Sequence, residues 1–223
     1  SSDLGKNPGI SRQELSDMSR YTGPRVKRMR ALGLDLPGLS RKSMWDRPYP
    51  PGVHGPKSAR RRKMSDFKKQ LLEKQKLRFN YGLNEGQFRR LYHEAVHSKE
   101  PSGDKLLEFL ERRLDNTVFR AGFAPTIPAA RQLVCHGHFL VNGKRLDIPS
   151  YRVREGDVIS LRERSQSLSA VETSLGDVRL ARPDWIEFDE GNKTVTVKTL
   201  PKVDSVPFPL EIDLVIEYYS KQL

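Results

Sequence analysis

Apolar side chains at Leu106, Leu107, Leu110, Leu114 and Val118 recur every three or four residues, the spacing that puts one stripe along a helix. The pattern predicts a helix that starts near Ser102 or Asp104, where a small polar residue can accept from the first-turn amides, and that stops at Gly122. Arg112, Arg113 and Arg120 fall away from the stripe's centre, so their guanidinium groups are expected to reach solvent or a ligand. A second, shorter helix follows from Thr126, with Pro128 in its first turn, Ala130, Leu133 and Val134 facing inward, Arg131 beside that face and Gly137 in the left-handed terminating position. Being short, this helix has to pack on the first. The period then falls to two: Phe139 and Val141 flank Leu140, Asn142-Gly143 gives a tight hairpin turn, and Lys144 and Arg145 follow. Tyr151 and Val153 alternate next, Gly156-Asp157 turns, and Val158 to Leu161 returns as a strand, completing a helix-helix-strand unit.

The same reading applies on either side of this unit. Ser65 is a candidate cap for a helix carrying Phe67, Leu71, Leu72 and Gln75, with Lys68, Lys69, Lys74, Lys76 and Arg78 covering its other surface. Tyr81-Gly82-Leu83 breaks it, and Asn84 caps a helix with Phe88, Leu91, Tyr92 and Ala95 inward and Arg89 and Arg90 free. Leucines at 32, 34, 36 and 39, set among glycine and proline, are expected to anchor an extended arm. Residues 1–20 are polar; Pro8-Gly9 opposes a long helix, Ser11 with Glu14 could cap a short one, and the first ten residues are expected to be mobile unless bound. Downstream, 163–175 is helix-compatible, Trp185, Ile186 and Phe188 precede a turn at 189–192, Thr194 to Val197 reads as a strand, and Ile212, Leu214, Ile216 and Tyr218 form a last ordered face.

Charge adds a partner to this picture. Forty Lys+Arg against 28 Asp+Glu give +12, with only 36% hydrophobic residues, and a polyanion is the economical counterpart. Arginine forks and helix N-termini suit phosphate oxygens; such contacts give affinity and register, so specificity would come from the shape of a folded RNA. The densest block is Arg60, Arg61, Arg62 and Lys63. The basic run from Arg20 to Arg30 is expected to be an RNA-bound arm, and Trp45 to pack on the main domain in preference to stacking on a base.

Other chemistries find little support. A single cysteine excludes an intramolecular disulfide framework and a multi-thiolate metal site, and Cys135 reads as a small buried hydrophobe. No apolar run approaches a membrane span and no secretory signal is present, which points to cytosol or plastid stroma. His54 has no acid-base partners nearby and suits a hydrogen bond to loop backbone or phosphate. His93-Glu94-Ala95-Val96-His97 does match the His-Glu-x-x-His pattern of zinc peptidases, but a catalytic site needs a third ligand and a cleft.

Arg113-Leu114-Asp115, Arg120, Phe123, Ala130-Arg131, Leu133-Val134, His136-Gly137, Val141-Asn142-Gly143 and Gly156-Asp157 resemble the RNA-binding module of the bacterial and organellar small-subunit ribosomal protein number four family. That module also occurs in pseudouridine synthases, in a heat-shock protein that rescues large subunits and in tyrosyl-tRNA ligases. Pro51-Gly52-Val53-His54-Gly55 resembles the family's Pro-Gly-Gln-His-Gly signature, Arg60 to Tyr92 resembles its basic helical segment, and Trp185, Glu187 and Pro209 to Ser220 resemble its C-terminal return. The likeness covers most of the chain after Met18; residues 1–17 have no counterpart. Val53 replaces the signature's usual glutamine, and three departures stand out: Ile127 stands where the family has a basic residue, the four zinc-binding cysteines of many members are missing, and residues 1–17 are additional.

The resemblance implies an α+β fold: an extended basic arm (1–50), an α-rich body (51–103), an inserted RNA-binding module (104–164) and a return to the body (165–223). It implies noncatalytic binding of small-subunit ribosomal RNA, early assembly, contacts with neighbouring small-subunit proteins, a place near the messenger RNA entrance and binding to its own message in some members. No cofactor, metal or membrane is expected. RNA contacts are assigned to Arg60, Arg61, Arg62, Lys63, Arg112, Arg113, Arg120, Arg131, His136, Lys144, Arg145 and Arg152; Asn142 and Gly143 set hairpin geometry, and Asp115 is structural. The competing reading, an RNA-modifying or ribosome quality-control protein, calls for a separate catalytic domain, where this chain supplies basic helices and irregular extensions.

Overall fold

The computed structural model describes residues 21–56 and 64–221. Expectations on residues 1–20 and on the Arg60 to Lys63 block lie outside the described residues.

In chain order the helices are α1 (Arg25–Leu32), α2 (Asp66–Asn80), α3 (Glu85–Val96), α4 (Ser102–Glu111), α5 (Leu114–Ala121), α6 (Ile127–Cys135), α7 (Ser169–Gly176) and α8 (Ile212–Ser220). The strands are β1 (Phe139–Val141), β2 (Lys144–Arg145), β3 (Val158–Leu161), β4 (Ile186–Asp189) and β5 (Thr194–Val197). Three caps form as their residue types require: Ser65 accepts from the Lys68 amide, Asn84 and Gln87 make a reciprocal capping box, and Thr126 accepts from the Ala129 amide. The start of α4 differs, because Pro101 precedes it and no side chain caps it.

The single helix expected from Ser102 or Asp104 to Gly122 is two. Arg113 is extended (φ −64°, ψ 138°) and pairs in an isolated antiparallel bridge with Arg152. Its break leaves first-turn amides of α5 unpaired within the helix, and the 149–153 segment satisfies them: Leu114 N donates to Tyr151 O (2.8 Å) and Asp115 N to Pro149 O (3.2 Å). Val153 N returns a bond to Arg112 O (2.8 Å). Tyr151 and Val153, expected to alternate as a strand, instead lie on this stitch.

The sheet is antiparallel throughout, in the order β2-β1-β3-β5-β4, with Leu140 opposite Ser160 and Ile159 opposite Val195. Residues 186–197 therefore extend the module's sheet, and it is α8 that returns to the body, packing on α2 and α4. Tyr219 stacks on Tyr92 (centroids 4.7 Å) and Gln70 Nε2 donates to Glu217 Oε2 (2.7 Å).

That return inverts the expected face of α2. Phe67 is exposed, while Gln70, Glu73, Lys74, Leu77 and Asn80 are buried. Burying such polar groups requires partners, and they are present. Lys74 Nζ reaches both oxygens of Glu85 (3.0 Å each) beneath the Tyr218 ring, and Asn80 Oδ1 accepts from Gly38 N (2.9 Å). Leu36 and Leu39 are buried as arm anchors, but the basic run before them contains α1, with Met29 in the core. Ile127 is wholly buried, its amide donating to Gly38 O (2.8 Å), so this position has become part of the arm-to-module contact. Two further expectations fail: Cys135 is exposed, and Trp45 is 66% exposed where packing was expected.

Candidate nucleic-acid interface

Asp115, at the start of α5, is fully buried and takes two guanidinium groups. Arg113 donates through Nε (3.1 Å) and Nη2 (2.9 Å), and Arg131, from α6, through Nε (2.9 Å) and Nη2 (2.7 Å). Arg131 also donates to Gly82 O (2.7 Å) and Tyr81 O (3.0 Å), which ties the module to the body at the α2–α3 turn. Arg113 and Arg120 are 8% and 6% exposed, which overturns the expectation that they reach solvent. Arg120 Nη2 donates to Ser205 O (2.9 Å), and its Nε lies 3.8 Å from Glu111 Oε2, a carboxyl that is pushed up in pKa chiefly by burial.

Two more of the predicted cations are held from the sides. Arg112 bonds Glu108 (2.6 Å) and Val153 O (2.9 Å). Arg152 makes a two-pronged pair with Glu94 and lies 4.0 Å over the Phe109 ring; its hydrogen bond and charge hold the Glu94 carboxyl below the usual range. This occupies the acid of the His-Glu-x-x-His string. His97, at the end of α3, has Nδ1 2.7 Å from His93 O, and among the described residues no group of three or more His, Cys, Asp or Glu is placed to hold a metal ion.

His136, Lys144 and Arg145 are exposed, as expected of contact residues. His136 and Arg145 border Gly137, whose φ of +70° lets the chain turn from α6 into β1. The Arg145 guanidinium lies against this glycine, Arg162 Nη1 donates to its carbonyl (3.4 Å), and the His136 and His138 rings are 6.1 Å apart. Burial, then His136 and Arg162, push the His138 pKa down, so its imidazole meets a ligand neutral more readily than a free histidine. Arg162 is absent from the sequence-based assignment; its signal is its place one residue beyond β3, where its amide bonds His138 O (3.0 Å).

The hairpin holds this edge in place. Asn142 (φ +50°) and Gly143 (φ +75°) adopt the two positive-φ positions of a type I′ turn. Asn142 also donates to Asp157 Oδ1 (2.8 Å) and accepts from Val158 N (2.9 Å), pinning β3. No described helix is long and apolar enough to cross a membrane.

A helical body tied by Arg131, itself held on buried Asp115, to a two-helix module with an antiparallel sheet and a cationic edge defines an RNA-binding protein of the S4-domain class. Residues 20–111 match the Ribosomal protein S4/S9 N-terminal domain, and residues 112–159 match the S4 domain. Over 206 residues, 92% of this chain and all of the relative, the sequence is 58% identical to small ribosomal subunit protein uS4 of Methylobacillus flagellatus. It is 56% identical to uS4B of Nitrosomonas europaea and 51% identical to uS4 of Synechocystis sp., with the same coverage. The chain belongs to the uS4 family of small ribosomal subunit proteins.

Proposed function

We infer that the chain is a structural, noncatalytic ribosomal-RNA-binding component of the small ribosomal subunit that acts early in its assembly. The observation that carries this is the edge of exposed His136, Lys144 and Arg145 with half-buried Arg162, held on a module that buried Asp115 locks to the body through Arg131. Fixed cations favour the compact RNA arrangement that fits them over open ones, and no bond is made or broken.

The predicted contact residues divide by role. Lys144, Arg145 and His136, joined by Arg162, touch phosphate; Arg112, Arg113, Arg120, Arg131 and Arg152 hold the surface in shape. The block Arg60, Arg61, Arg62 and Lys63 remains in the contact set on charge density alone. Neighbouring small-subunit proteins, messenger RNA at its entrance and the chain's own message complete the proposed partners. The place of work is a bacterial-type cytoplasmic ribosome, in keeping with the bacterial sources of its relatives.

Filter binding of the full chain to natural small-subunit ribosomal RNA over a salt series tests the division. Lys144→Ala and Arg145→Ala are expected to weaken binding and each to lower the salt slope by about one. A slope unchanged in both variants, or sedimentation of the chain away from small subunits, would overturn the reading.

A further inference from the structure

A cleft of about 210 Å³ separates the arm at 35–43 from the segment that follows α7. Phe119, Ala124, Val178 and Leu180 give it mainly apolar walls. Arg41 and Arg179 stand at its rim, where Arg41 donates to Asp177 O (2.8 Å) and to the Asp177 carboxylate, and Arg179 Nε reaches Asp177 Oδ1 (3.3 Å). Lys42, also on the rim, is exposed and makes no ion pair among the described residues. Three cations against Asp35 and Asp177 leave the mouth net positive.

We propose that this cleft receives one unstacked base of the bound RNA, with the neighbouring phosphate on Lys42. The proposal rests on the RNA-binding reading above and adds a site remote from the cationic edge of the module. Volume sets the ligand's scale: clefts for drug-sized ligands run to roughly 300–1,000 Å³, so this one suits a single ring system with its sugar and phosphate left outside. Chemistry sets the class. A base brings a flat apolar face to the walls and hydrogen-bonding edges to the Ser40 hydroxyl and to Asp35, whose carboxylate is oriented by Ser43 Oγ (2.5 Å) and the Met44 amide (2.8 Å), and its attached anion meets the positive mouth. An acidic or purely aliphatic protein side chain would satisfy only one of these two halves. Trp45, two residues beyond Ser43, exposes its indole beside exposed Arg47, so the arm continues past the cleft with a stacking surface and a second cation.

The cleft wall can be altered without touching the buried core, because Val178 is partly exposed. Full-length Val178→Trp, which fills the space, and Val178→Ala, which enlarges it, are compared with the parent chain for binding natural small-subunit ribosomal RNA and for base-specific chemical footprints. The parent and Val178→Ala are expected to protect one unpaired base that stays reactive with Val178→Trp, which binds about tenfold more weakly. Lys42→Ala, on the open rim, provides the check that is insensitive to core packing: about threefold weaker binding with the same base more reactive. Parent-like affinity and footprint in both Val178→Trp and Lys42→Ala would overturn the proposal while leaving the RNA-binding reading intact. Covering of the cleft by a neighbouring protein in assembled subunits, seen as a protein crosslink from this wall, would overturn it too. Failure of the parent chain to bind the RNA at all would instead remove the reading on which it rests.

Discussion

Asp115 sits where three chain segments meet, shielded from water and neutralising guanidinium groups from Arg113 and Arg131. Removing one partner from such a cluster leaves charge buried and unpaired, which costs far more than the pair contributes against an apolar replacement. Asp115→Ala is therefore expected to lose about 3–5 kcal/mol of stability, read as a lower urea midpoint with an unchanged slope. Its RNA affinity should fall less than that of a contact variant once folded fractions are matched. The residue scale is also where sequence reading was weakest. Arg113, Arg120 and Arg145 share one side chain and one charge, yet the first two are inside and the third is outside. Arg113 and Arg145 each have an aspartate two positions on, Asp115 and Asp147; what separates them is that the folded path buries Asp115, as it buries Glu111 beside Arg120, and leaves Asp147 exposed. Asp115 itself was legible as structural, because a carboxylate is a poor phosphate contact.

Among the elements, those defined by local chemistry were legible: the caps at Ser65, Asn84 and Thr126, and the Asn142-Gly143 turn. The break after Arg112 was not, because the leucine stripe runs through it and its cause lies 40 residues away in the 149–153 segment. Likewise β5 read correctly as a strand but gave no sign of which sheet it would join, and its partner β4 was not read as a strand, since pairing partners are a long-range choice. The hairpin offers the cleanest test at this scale. Gly143 has open space where a Cβ would stand, so Gly143→Ala meets no clash and pays only for its positive φ, about 1–2 kcal/mol. Amide exchange across β1 and β2 should accelerate in this variant, with the helical body unchanged, and RNA affinity should fall because Lys144 and Arg145 lose their fixed positions.

For the whole molecule, closure of the body depends on Glu85, which receives Lys74, Arg78 and the Tyr219 hydroxyl (2.6 Å) from α2 and α8. Burial is the largest single influence on its carboxyl and pushes the pKa up, but these three donors together outweigh it and leave the group below its ordinary value. A carboxyl that titrates lower when folded contributes stability in full above its unfolded value of about 4.3, and that contribution disappears as pH falls through the folded value. Glu111, shifted the opposite way, partly offsets this loss by protonating more readily when folded. Glu85→Gln is expected to cost about 2–3 kcal/mol at neutral pH, discounted from roughly 3–5 because Glu85 remains 33% exposed. Urea midpoints taken from neutral to about pH 3.5 should then show a shallower acid decline than in the parent chain.

The return of α8 to α2 also sets the order in which the chain can be completed. Gln70 and Glu217, which bond across this contact, are 147 positions apart. A ribosome making this protein finishes α2 well before the partner that covers it exists. Contacts so distant in sequence close slowly, and a surface waiting for them is open to wrong associations. The face that waits here is Gln70, Glu73 and Lys74, with Phe67, which meets the Tyr218 ring, as the one aromatic beside them. Such a face stays hydrated until α8 arrives and offers little to a stray apolar neighbour, so the polar seam that sequence patterning misread also protects the nascent chain from premature aggregation.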